Sequence, residues 1–201
     1  MDYSMRMTQA AGSAGWIRFV PNVLSAFRLG VAIAFPFAPP TWRLGAVIAG
    51  GASDWLDGLI ARRFNVKSVI GGLLDAIADK LFVLSVLVTL ILADSVQWWE
   101  AVAVMLRDFA VLIVAVYAAV VRRWESFSRM TPGAAGKLTT LLVFAWFIVL
   151  LIPLRDAYVM ILLIMAIASS AVAAIDYLSR FARALIEDQA SPTADRNSPS
   201  I

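Results

Sequence analysis

Long apolar stretches separated by short polar turns dominate the pattern of this 201-residue chain. A bilayer-spanning helix needs about 20 mostly apolar residues, and six runs of that order lie near 22–39, 43–61, 69–93, 98–121, 137–154 and 157–179. The separators are turn formers and charged clusters: Ala38 to Pro40, Arg63 to Asn65, Ala93 to Ser95, Arg129 to Gly136, and Pro153 to Asp156. The pattern predicts an all-α integral membrane protein with six transmembrane helices in one membrane domain over 1–186. A disordered cytoplasmic tail over 187–201 follows, polar and closing on Asp195, Arg196, Asn197, Ser198 and Pro199. The connections leave no room for a soluble catalytic domain, so any chemistry belongs to the membrane helices themselves.

Basic residues near helix ends collect on the cytoplasmic side of a membrane protein. Arg6, Arg18, Arg62, Arg63, Lys67, Arg122, Arg123, Arg129, Lys137, Arg180 and Arg183 fall on one side, against Arg43 and Arg155 on the other. Both termini are therefore expected in the cytoplasm. Trp16, Ile17 and Arg18 fit either a short N-terminal interfacial helix or a flexible lead-in. The start lacks a basic region followed by a cleavable apolar segment, so no signal peptide is expected. Trp98 and Trp99 beside Glu100 read as an interfacial aromatic belt, and Gly45, Ala46, Ala49 and Gly50 as a stripe of small residues for helix contact.

Composition narrows the chemistry. The chain is 61% hydrophobic and 15% charged, and it contains no histidine and no cysteine. Ser-His-Asp and Cys-His catalysis, thiolate chemistry and imidazole- or sulfur-ligated zinc are excluded. Carboxylates, Lys, Arg, hydroxyls and hard metal ions remain. A net charge of +3 gives no reason to expect nucleic acid as a partner.

Against this apolar background four acids stand out, Asp54 and Asp57 at the end of the second run, Asp75 and Asp79 at the start of the third. An Asp at the bilayer centre costs about 2.5–3.5 kcal/mol on insertion scales, less near a helix end, so the four require neutralisation. Spacings of three and four put each pair on one helical face, and a hairpin turning through Arg63 to Ser68 would bring the pairs together. Convergent oxygen donors without nitrogen or sulfur suit Mg²⁺, Mn²⁺ or Ca²⁺, and two such ions can clamp a phosphate during in-line displacement. Gly58, Ala61, Gly71 and Gly72 remove bulk nearby, and Arg62 offers a guanidinium fork to phosphate oxygens. The competing reading is plain pairing of the acids with Arg62, Arg63, Lys67 and Lys80, the glycines serving helix packing.

Taken together, Asp54, Asp57, Gly58, Ala61, Arg62, Gly71, Asp75 and Asp79 match every fixed position of D-x2-D-G-x2-A-R-x8-G-x3-D-x3-D. In this the chain resembles the CDP-alcohol phosphatidyltransferase family, whose core of six membrane helices would cover nearly all of it. The resemblance implies transfer of a phosphatidyl group from CDP-diacylglycerol to an alcohol with release of CMP. It also implies two Mg²⁺ or Mn²⁺ ions on Asp54, Asp57, Asp75 and Asp79, with Asp79 the general base toward the acceptor hydroxyl. The CDP moiety would lie against Asp57, Gly58, Ala61, Arg62 and Gly71.

Pro21 to Ser25 with Arg28, the Asp79 and Lys80 pair, and Gly136 to Thr140 resemble the branch of phosphatidylglycerophosphate synthases and eukaryotic-type cardiolipin synthases. Arg107 with Asp108 leans to the cardiolipin type; Gly136 with Lys137 and Ile175 to Tyr177 lean to the glycerophosphate type, and Ala76 departs from the Pro usual in both. Glycerol 3-phosphate is the expected acceptor, with phosphatidylglycerol the alternative. Both are anionic, which makes Arg107 and Lys137 the expected acceptor contacts, with Lys137 alternatively an interfacial residue of the positive-inside pattern. By the same resemblance the protein is expected as a homodimer among membrane lipids in a bacterial inner membrane, its site facing the cytoplasm. Two other classes compete. An intramembrane prenyltransferase would need a larger bundle with two Asp motifs, and an ion or proton transporter would commonly carry an internal repeat, where the Asp-rich hairpin here occurs once.

Overall fold

The computed structural model describes residues 20–64, 69–121, 134–153 and 156–190. Among them there is no strand, and a helix lies along each of the six apolar runs. Pro21 occupies the first turn of α1 (Val20–Ala34), and Pro40 opens α2 (Pro40–Phe64), positions where a missing N–H costs nothing. A 3₁₀ turn, Phe35–Phe37, joins them. Helix α3 (Val69–Leu92) ends in a Schellman cap: the Asp94 amide donates to Ile91 O at 3.0 Å and the Ser95 amide to Leu90 O at 2.9 Å. The cap requires a left-handed residue, and Asp94 takes it at φ 54°.

The fourth run differs from expectation by being broken. Helices α4 (Trp98–Val104) and α5 (Leu106–Val120) meet at Met105 with a 59° bend. Glu100, expected only beside the aromatic belt, also caps α4 by accepting the Gln97 amide at 2.8 Å, while Trp98 and Trp99 are exposed. Helix α6 (Ala134–Leu151) follows, then α7 (Asp156–Ala190). The last helix outruns its apolar segment, held in part by an i,i+4 pair in which Arg180 Nε donates to Asp176 Oδ1 at 2.9 Å. The tail expected from Glu187 onward is therefore helical as far as Ala190. Residues 191–201, the lead-in containing Trp16 to Arg18, and the turn at 65–68 lie outside the described residues.

Among the described residues two stretches are long and apolar enough to cross a membrane, Val20–Phe37 and Asp156–Ile186, and a third if α4 and α5 form one broken span. Helices α2 and α3 have the length, 25 and 24 residues, but carry the charges.

Two compact units emerge, one formed by residues 1–96 with 150–152, the other by 97–149 with 153–201. In the first, α1 packs on both α2 and α3. Its centre is Phe82, fully buried, edge-on to Phe35 at 6.4 Å between ring centroids. Of the small stripe on α2, Gly50 has a specific task, because a Cβ there would overlap the Phe82 ring, whereas one at Gly45 would meet nothing. In the second unit α7 packs on α5 and α4, with Tyr117 edge-on to Phe181 at 5.9 Å. Overpacking a filled core costs about 1–3 kcal/mol. Gly50→Ala should accordingly lower the thermal midpoint in detergent, and Gly45→Ala should hold or raise it, since Ala is the better helix former.

Candidate active site

The acids of the first unit are organised around one cation. Arg28, on α1, is completely buried. Its Nη1 donates to Asp75 Oδ1 of α3 at 2.9 Å and lies 3.4 Å from Asp54 Oδ1 of α2, and its Nε donates to the Ser53 hydroxyl at 3.3 Å. Ser53 in turn donates to Gly50 O at 2.7 Å, which fixes its orientation. The Ser25 hydroxyl, one turn before Arg28, lies 3.0 Å from Pro21 O and 3.4 Å from Asp75 Oδ1. Three helices thus converge on one guanidinium, whose planar fork suits several oxygen partners at once.

Asp79 stands one turn beyond Asp75, its Oδ2 3.7 Å from Lys80 Nζ. Asp54 sits in the fields of Asp79, Arg28, Asp75 and Lys80 together, so three of the four predicted acids share one electrostatic neighbourhood. The side chains of Asp57, Gly58, Ala61 and Arg62 lie outside the described residues, although their backbone continues α2. For Asp54 and Asp75 the ion pairs seen among the described residues come from Arg28, 26 and 47 residues away in sequence. Nothing packs against Gly72, where a Cβ would find open space beside the acids.

Asp54 and Asp75 remain 35% and 41% exposed, so their carboxylates open outward from the Arg28 clamp. Their donor set is all oxygen, which fits a hard divalent cation. Among the described residues no three acids converge closely enough to chelate an ion; the position between Asp54 and Asp75 belongs to Arg28.

The second unit holds the other predicted cations. Arg107, near the start of α5, has Nη1 3.5 Å from the Thr140 hydroxyl and 3.8 Å from Asp108 Oδ1. Its guanidinium lies over Gly136, and Tyr177 feels its charge. The Thr139 and Ser169 hydroxyls meet at 2.8 Å, tying α6 to α7. Lys137 is exposed and, among the described residues, takes no part in this cluster. Sequence reasoning missed Ser169 and Ser170. Their signal was present, since this polar pair interrupts an otherwise apolar stretch of α7 from 159 to 175.

Removing the guanidinium should leave Asp54 and Asp75 facing one another without a bridge. Hydrogen bonds to charged groups contribute about 1.5–3 kcal/mol, and partial exposure favours the lower half of that range. Arg28→Met should therefore lower the detergent melting midpoint clearly more than Ser53→Ala, which loses one neutral partner.

The model of the CDP-alcohol phosphatidyltransferase family matches residues 18–178. A Streptomyces coelicolor protein named cardiolipin synthase (CMP-forming) is 35% identical over 105 residues, covering 47% of this chain and 49% of that protein. A Bacillus subtilis CDP-diacylglycerol–glycerol-3-phosphate 3-phosphatidyltransferase is 38% identical over 64 residues, 32% of this chain and 33% of its own length. The enzyme of the same name from Pseudomonas fluorescens is 29% identical over 122 residues, 57% of this chain and 60% of that protein. The chain spans about half the length of the curated relatives it matches. Members of the matched family generally use divalent metal ions. The long apolar helices and the family both mark a membrane protein. With a match over most of its length, the chain belongs to the CDP-alcohol phosphatidyltransferase family.

Proposed function

We propose that the protein transfers a phosphatidyl group from CDP-diacylglycerol to an anionic alcohol and releases CMP. The observation that carries this reading is the convergence of Asp54 and Asp75, from two helices, on Arg28, with Asp79 one turn beyond Asp75 and the three acids within the eight-position signature. Asp54, Asp57, Asp75 and Asp79 would hold two Mg²⁺ or Mn²⁺ ions, which supply charge neutralisation for the diphosphate when bound. Asp57, Gly58, Ala61, Arg62 and Gly71 would receive the CDP moiety, with Arg62 in a fork on phosphate oxygens.

Asp79 accepts the proton as the acceptor oxygen bonds to the lipid-side phosphorus. The bond from that phosphorus to the bridging oxygen breaks, and the electron pair leaves on CMP. Arg28 bridges Asp54 and Asp75 and leaves their outer oxygens open, so orientation is set before substrate arrives. Arg107 and Lys137 contact the acceptor's anion. The reading includes six spans, cytoplasmic termini, a site facing the cytoplasm, an inner-membrane location and a homodimer.

Glycerol 3-phosphate is the acceptor we favour, a choice supported by the Bacillus and Pseudomonas relatives, whose names specify it. Phosphatidylglycerol is the second reading, supported by the Streptomyces relative named cardiolipin synthase and by Arg107 with Asp108. Purified protein supplied with labelled CDP-diacylglycerol and each acceptor separates them by product. Asp79→Asn should abolish turnover while the protein stays folded, and Asp94→Asn, at the left-handed cap that Asn also tolerates, should leave it intact. Turnover undiminished in Asp79→Asn would remove the general base assigned here.

A further inference from the structure

The break between α4 and α5 is held by a side chain from another helix. A continuous helix would pair the Arg107 amide with a carbonyl four residues back and give the Val104 carbonyl a donor four residues on. At the 59° bend both groups lose those partners. Ser170 of α7, with no solvent exposure, takes both: its Oγ accepts the Arg107 amide at 3.0 Å and donates to Val104 O at 2.7 Å. A hydroxyl inserted into the helical ladder is a recognised cause of a sharp kink. Neither Gly nor Pro occurs from Trp98 to Val120, so the chain itself supplies no other breaker.

The residue whose amide Ser170 holds is Arg107, the cation of this cluster among the described residues. Its guanidinium lies flat over Gly136, where a Cβ would come within 3.1 Å of Nη2 and 3.2 Å of Cζ and Nε. That is tighter than an ordinary contact, so the glycine is the seat that lets the guanidinium lie down. Thr140 and Asp108 approach it only at 3.5 and 3.8 Å, which leaves its strong donors for an anion. One end of Arg107 is thus fixed by Ser170 through the backbone, the other by the space over Gly136.

We propose that Ser170 is a positioning residue: by splicing the helix break it aims Arg107 across Gly136 at the phosphate oxygens of the acceptor. The inference rests on the reading of Arg107 as an acceptor contact. The recognised chemistry is a phosphate carried by glycerol 3-phosphate or by the phosphatidylglycerol head group, and the arm that responds below identifies its source.

The test compares wild type, Ser170→Ala, Ser170→Thr, Gly136→Ala and Arg107→Ala in the reconstituted 201-residue chain, with KM measured for each acceptor and for CDP-diacylglycerol. Ser170→Ala should raise the acceptor KM about tenfold, the order expected of misplacing a binding group, with the CDP-diacylglycerol KM within about twofold. Ser170→Thr, which keeps the hydroxyl, should restore most of the loss. Hydrogen exchange should quicken in the peptide containing Arg107 for Ser170→Ala and not for Ser170→Thr. Gly136→Ala, which lifts the guanidinium and spares the splice, should raise the acceptor KM without altering exchange, and it decides the matter if Ser170→Ala does not fold. An acceptor KM unchanged in both Ser170→Ala and Gly136→Ala, while Arg107→Ala raises it, overturns the positioning role alone. An unchanged KM in Arg107→Ala overturns the acceptor reading beneath it.

Discussion

A guanidinium without any solvent exposure, Arg28, is the interaction on which the acidic site depends. An unpaired buried cation costs several kcal/mol, and so does each unpaired acid facing an apolar environment. Bringing Arg28 of α1 to Asp54 of α2 and Asp75 of α3 answers both penalties with one set of contacts. The same contacts specify which faces of the three helices meet. Apolar packing alone is a weak determinant of register among membrane helices, since lipid tails compete equally for Leu and Val. The polar clamp and the close fit of Gly50 under Phe82 supply that register.

The price of the arrangement is that a cation already stands between two of the acids expected to bind metal. Ions bound at the outer faces of Asp54 and Asp75 are compatible with it, because both side chains stay more than one third exposed. Arg28 lies behind the carboxylates, limiting their rotation and leaving their outer oxygens open. The second unit repeats the principle with different parts: a hydroxyl replaces the lost helical partners of Arg107, and a glycine makes room for its side chain. In each unit a short polar residue on a neighbouring helix, Ser53 or Ser170, holds an arginine in place.

Much of this was legible in the chain. The six apolar runs each carry a helix, and the Asp spacing identified the helices that bear the site. What escaped was long-range. Arg28 is 47 residues from Asp75, and no local spacing links them; the bases weighed as alternative partners for the acids were those nearby in sequence, Arg62, Arg63, Lys67 and Lys80. The bend at Met105 was equally hidden, because the hydroxyl that bridges it, Ser170, lies on another helix and no local Pro or Gly marks it. The extension of α7 to Ala190 was missed for a different reason: polarity ended the predicted span, but polar residues such as Asp176 and Arg180 pair along a helix as readily as they favour a tail.

The central claim, that the acids of α2 and α3 form a divalent-cation-dependent phosphatidyl-transfer centre, is tested most directly on the wild-type protein in vesicles containing CDP-diacylglycerol. CMP release is followed with and without glycerol 3-phosphate, before and after chelation and on return of Mg²⁺ or Mn²⁺. Release that requires both acceptor and cation, and returns when the cation is restored, is the predicted result. Release that persists unchanged after complete chelation would contradict the account.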